Sequence, residues 1–122
     1  MKYKKIIGTQ GSWTVKVTWE DGTEQELPTA HLRFLNWERG EYHRDGHDLS
    51  SMQGHPGKYA PYCAALQQTR KVVITRDDWH GESCTRTGYI DVWDIEDLRL
   101  EDSQLSFTLT ERHRKVNPGW AV

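Results

Sequence analysis

The order of patterns in this 122-residue chain predicts an α+β domain: a small antiparallel β-barrel or half-barrel of about six strands with one packed helix. Three stretches carry that prediction. Residues 88–112 contain the clearest alternation, with Leu105, Phe107 and Leu109 set between Gln104, Ser106, Thr108 and Thr110. That is the period of a strand burying one face. Trp13, Val15, Val17 and Trp19 alternate in the same way and run into Asp21-Gly22, the favoured pair for a tight hairpin turn. Between these β regions, Tyr59, Tyr62, Cys63 and Leu66 hold the spacing of a helix face.

The elements follow in order. Residues 3–8 make a short strand, and residues 13–27 a hairpin with an aromatic-rich inner face. Pro28 ends the returning strand, and residues 31–37 fit neither the helical nor the strand period. Residues 38–57 show almost no apolar pattern and hold Gly40, Gly46, Gly54 and Gly57. They are expected as a long irregular loop, the kind of connection that tends to be functional. A helix over residues 60–69 tolerates Pro61 in its first turn and leads to Val72-Val73-Ile74-Thr75, a β-branched run expected as a buried strand. Residues 76–87 are expected as a polar loop. A β-meander follows, in which Glu101-Asp102-Ser103 is the break and a bulge near Trp93 reconciles the two phases of Ile90, Val92, Trp93 and Ile95. The tail from about residue 113, with Asn117-Pro118-Gly119, is expected to fray. One domain covers residues 1–122.

Composition narrows the function. Hydrophobic residues make up 35% of the chain, so six Trp, five Tyr and two Phe must supply much of the core. The net charge of −2 provides no global field for nucleic acid or an anionic membrane, so a nucleic-acid role requires a local basic patch. Lys2, Lys4 and Lys5 at one end and Arg112, Arg114 and Lys115 at the other form one patch if the termini meet. No apolar run is long enough to span a bilayer, and no apolar segment follows the first lysines as a leader requires. A cytoplasmic protein without membrane association, with Cys63 and Cys84 reduced, is the expectation.

Histidine offers the candidate chemistry. His43 and His47 lie four apart with Asp45 and Asp48 between and beside them, and His55 follows eight residues on. Imidazoles and carboxylates suit zinc or another divalent transition metal, although Gly46 argues against a helix that would set His43 beside His47. His80 and Cys84 repeat the four-residue spacing, which admits a thiolate–imidazole pair. Nucleophile-elbow, phosphate-loop, dinucleotide and kinase signatures are absent from the sequence. Six acids between Asp91 and Asp102 face a single Arg99, the pattern of a solvated acidic ridge.

Residues 15–32, VKVTWEDGTEQELPTAHL, resemble the hairpin of Tudor and other SH3-like small barrels: an aromatic-ended strand, an acidic-Asp-Gly turn and a polar return. The later helix, the VVIT strand and GYIDVWDIEDLRL are loosely similar to PUA-like barrels, a group that includes readers of RNA and of modified DNA. Both resemblances imply a binding module. The expected function is therefore a non-enzymatic recognition module that contacts nucleic acid or a protein through residues 38–57 and 76–87. Trp37, Tyr42, His43, His47, Trp79 and His80 are its candidate contacts, because loops on a rigid sheet supply recognition groups. A metal-dependent hydrolase using His43, His47 and His55 is the alternative. A small inhibitor or interaction protein acting through the acidic face is the third.

Overall fold

The computed structural model describes residues 1–116. Eight strands form one mixed sheet: β1 (Tyr3–Ile7), β2 (Thr14–Trp19), β3 (Glu24–His31), β4 (Leu35–Asn36), β5 (Glu41–Asp45), β6 (Lys71–His80), β7 (Ser83–Leu100) and β8 (Gln104–His113). Their spatial order is β1-β2-β3-β6-β7-β8-β5-β4. A 3-10 turn (Leu32–Phe34) and two helices, α1 (Gly46–Gln53) and α2 (Pro56–Thr69), lie in the connection from β3 to β6. No helix among the described residues is long and apolar enough to cross a membrane.

This corrects the expected barrel of about six antiparallel strands with one helix. The sheet is open, has eight strands and carries two helices. The physical reason is the β3–β6 pair, which is parallel and sets Thr29, Ala30 and His31 beside Val73, Ile74 and Thr75. Parallel neighbours demand a long crossover rather than a tight turn. Here the crossover accommodates both helices and carries β5 to the far side, where it pairs with β8. Among the described residues one isolated bridge, Tyr3 to Lys115, ties the first strand to the end of the chain without closing the sheet.

Both faces of the central strands are covered. Under the helices lie Ala30, Tyr42, Leu49, Met52, Tyr62, Leu66, Val72, Ile74, Ile95, Leu105 and Phe107. On the other face Tyr3, Val15, Val17, Trp19, Leu27, Val73 and Val92 form a second cluster as β1 and β2 curl over the sheet. Val72, Val73, Ile74 and Thr75 are all fully buried, as a β-branched run between two cores must be. The expected Asp21-Gly22 turn is present, with Gly22 at φ 88°, and it joins β2 to β3 in antiparallel register. The expected faces change at one residue: Trp13 precedes β2 and packs against the helix-side cluster, away from Val15 and Val17.

Two expected loops are regular structure. Residues 38–57 hold β5 and α1, and α2 begins at Pro56, so Pro61 falls inside the helix rather than in its first turn. Residues 76–87 are the outer half of a hairpin, with Asp77 opposite Arg86, Trp79 opposite Cys84 and His80 opposite Ser83. Gly81 at φ 66° opens its two-residue tip. The polar break before β8 stands where expected, and the register between β7 and β8 shifts between Trp93 and Ile95. Tyr3 donates its N–H to the Arg114 carbonyl and accepts from Val116, so residues 114–116 are held rather than frayed. Residues 117–122 of the expected tail lie outside the described residues.

Candidate functional site

Three neighbouring strands build one polar floor. The parallel register puts His31 of β3 beside Thr75 of β6. Alternation along β6 carries Thr75, Asp77 and Trp79 to the same face, and the hairpin register brings Cys84 and Arg86 of β7 opposite Trp79 and Asp77. Of these, His31, Asp77, Trp79, Cys84 and Arg86 line a cleft of about 250 Å³, and Thr75 is fully buried. Its rim comes from the β1–β2 loop (Gln10 to Trp13) and from the α1–α2 junction (Ser51, Met52 and His55).

Hydrogen bonds lock the walls. Gln10 Nε2 donates to the Arg86 carbonyl and Gln10 Oε1 accepts from the Arg86 N–H, each at 2.8 Å. The Arg86 guanidinium then donates to the carbonyls of Thr9 and Ser12, fixing the loop over the cleft. Across the floor, buried Arg44 gives Nε and Nη2 to the Asp48 carbonyl and lies 4.2 Å over the Phe34 ring. A buried guanidinium held by a carbonyl and a ring face, with no carboxylate partner among the described residues, raises the local positive potential. His47 reaches Glu82 at 2.6 Å and so links α1 to the hairpin tip.

The floor is anchored on Asp77. Its Oδ2 lies 2.8 Å from His31 Nδ1 and accepts the Thr75 hydroxyl at 2.8 Å. Its side chain is only 2% exposed, and its Oδ1 is buried with no hydrogen-bond partner among the described residues. Burial lowers the pKa of His31 despite the Asp77 carboxylate beside it, so the ring favours its neutral form. Burial also pushes the Cys84 thiol up, and the Asp77 charge adds to the rise while Arg86, Arg44 and Arg33 oppose it. A raised thiol is a poor nucleophile at neutral pH. The expected His80–Cys84 pair is corrected here too, since alternation sends the two residues to opposite faces of the hairpin.

The candidate contacts scatter. Trp79 lines the cleft, with its ring 5.2 Å from His31 and exposed Arg33 stacked at 4.4 Å. His80, one position along, is exposed on the opposite face. Trp37 is 44% exposed and lies 5.5 Å from Trp93. Tyr42 is corrected: it is 1% exposed and stacked on Phe107 at 4.6 Å, a core ring rather than a surface contact. His43 is exposed and bonds Asp45, whereas His55 packs its ring edge-on to Trp13. His43, His47 and His55 therefore do not converge on one point, and the alternative metal set is corrected: among the described residues the groups that do converge are His31, Asp77 and Cys84, and Asp94, Glu111 and His113.

Sequence reasoning passed over His31, Asp77 and Arg86 and treated Cys84 only as a partner of His80. The available signal was the alternation Thr75-Asp77-Trp79 and Cys84-Arg86 about a Gly-X tip, which marks a hairpin. No family model, no characterised relative and no solved structure matches the chain, so geometry alone bears on its function.

Proposed function

We propose that this protein is a non-enzymatic recognition module for single-stranded nucleic acid, with the Trp79 cleft as the seat for a base and the paired chain ends as the contact for phosphates. The observation that carries it is the Tyr3–Lys115 bridge, which draws two basic clusters together. Lys2, Lys4, Lys5, Arg114 and Lys115 are all exposed at that corner. Glu20, which accepts the Lys2 N–H, and Asp21 near Lys4 offset part of that charge. From there β1 runs five residues toward the cleft loop, a path of roughly 17 Å at the strand rise.

Cations that track a backbone beside an aromatic that stacks bases are the two parts of single-strand recognition. Arg33 over Trp79 adds a charge at the stacking site. The acidic ridge supports the inhibitor reading less well, because Asp91 is taken by Arg112 and Tyr3, and Asp94 by Lys71 and His113.

Fluorescence anisotropy with labelled oligo(dT) and oligo(U) of about sixteen nucleotides tests this. For about four phosphate contacts, affinity should fall roughly fifty-fold between about 50 and about 200 mM salt. Lys4→Glu combined with Lys115→Glu should flatten that dependence. Trp79→Ala should leave the fold intact and weaken binding by about 1–3 kcal/mol. No binding at the lower salt by either oligonucleotide would end the nucleic-acid assignment.

A further inference from the structure

We propose that His31, Asp77 and Cys84 form a binding site for a borderline-soft divalent cation, zinc above all, on the floor of the cleft. Each comes from a different one of three adjacent strands, and one donor atom from each lies within 4.8 Å of the other two. A nitrogen, an oxygen and a sulfur donor make a set that suits zinc. The site stands whatever else the cleft takes.

The Asp77 carboxylate supplies the second, independent observation. One oxygen already has the Thr75 hydroxyl and the His31 ring, while the other is buried without a partner among the described residues. A buried carboxylate oxygen left unmatched is costly, and a cation at the same point supplies what it lacks. Thr75 and the Trp79 edge against His31 already hold the ligands from behind, the role of supporting groups around a metal.

Tetrahedral zinc sets its donors roughly 3.4–3.6 Å apart, and donor atoms already within 4.8 Å of one another reach that spacing by side-chain adjustment alone. On binding, the Cys84 S–H bond breaks, the proton passes to solvent, and the sulfur lone pair forms the bond to the ion. Thiolate and carboxylate together balance the two positive charges, so Arg44 and Arg86 face a neutral centre. Three protein ligands leave a fourth position for water or for a donor atom of the cleft's ligand. The other cluster, Asp94, Glu111 and His113, is different, because the Lys71 ammonium sits 2.6 Å from Asp94 and the N-terminal amine 3.3 Å from His113. Cations of the chain itself occupy that corner.

Titration of the chelator-treated full chain with Zn²⁺ and with Co²⁺ tests the site. The expected result is saturation at one equivalent, with a thiolate-to-cobalt charge-transfer band in the Co²⁺ form. Cys84→Ser should abolish the band, and Cys84→Ser and Asp77→Asn should each weaken Zn²⁺ binding by about 100-fold or more. His43→Ala and His47→Ala should leave affinity unchanged. Circular dichroism of the metal-free variants checks folding. Cys84→Ser alters a partly exposed, nearly isosteric group and keeps the test decisive if Asp77→Asn fails to fold. Absence of saturable binding, or one equivalent that survives Cys84→Ser with no thiolate band, would overturn the assignment. Oligonucleotide binding is read separately, so loss of one result does not decide the other.

Discussion

Asp94 looks, in sequence, like one more carboxylate on an acidic ridge. In the fold it bonds the Lys71 ammonium at 2.6 Å and the His113 ring at 3.0 Å. Burial works to raise its pKa, but these two partners outweigh burial and hold the carboxyl below the usual range. A depressed folded value means that the contribution is complete above the unfolded pKa of about 3.9 and is lost as pH falls through the folded value. Asp94→Asn should therefore cost about 1 kcal/mol at neutral pH. In urea unfolding, the gap between wild type and variant should narrow at about pH 3. A gap independent of pH would show that the ion pairs do not favour the charged form. Trp79, expected on a loop, lies on β6 and lines the cleft. Tyr42 was not legible as core, because its neighbours His43 and Arg44 made the segment look like loop, although alternation buries Tyr42 and Arg44 and exposes His43.

Elements were legible in proportion to how strongly one period dominates them. The β2–β3 hairpin, α2, the buried start of β6 and β8 all carry several apolar residues in phase. By contrast α1 anchors itself with only Leu49 and Met52, too few to show a helical stripe among Gly, His, Asp and Ser. The outer β6–β7 hairpin was read as loop because both its faces are polar, one of them being the cleft floor. Functional groups on a strand dilute the hydrophobic signal that reveals it. Gly8 shows how tightly such elements meet. A Cβ there would collide with Cγ1 of Val15, a stiff β-branched side chain that is 1% exposed, and would reach Tyr89 Oη at 3.0 Å. Gly8→Ala should destabilise by about 1–3 kcal/mol through overpacking. Thermal melts check this, and Gly11→Ala is a poor control because φ there is 77°.

At the scale of the molecule, β6 belongs to both cores at once. Val72 and Ile74 point to the helix side and Val73 to the other. Opening either core exposes the strand that the second depends on, so the two should unfold together. Near-ultraviolet signals from the Trp residues and far-ultraviolet signals from the backbone should give coincident urea transitions; separated midpoints would show two independent units. The β-rich α+β character was legible, but the open mixed sheet was not. Pattern along the chain reveals which residues face inward, yet nothing in Glu24–His31 announces a parallel partner some forty residues on.

That crossover also orders events during synthesis. β5 emerges before β6, β7 and β8, yet its long ladder partner is β8, which ends at His113. Until β8 leaves the ribosome, residues 41–45 have one bare flank, the two residues of β4 covering only the opposite one. The N-terminal hairpin can form early, but the sheet completes from its end rather than its beginning. A chain halted before Gln104 would hold Tyr42 and Arg44 in water with no strand to cover them, and would be a natural client for a holding chaperone.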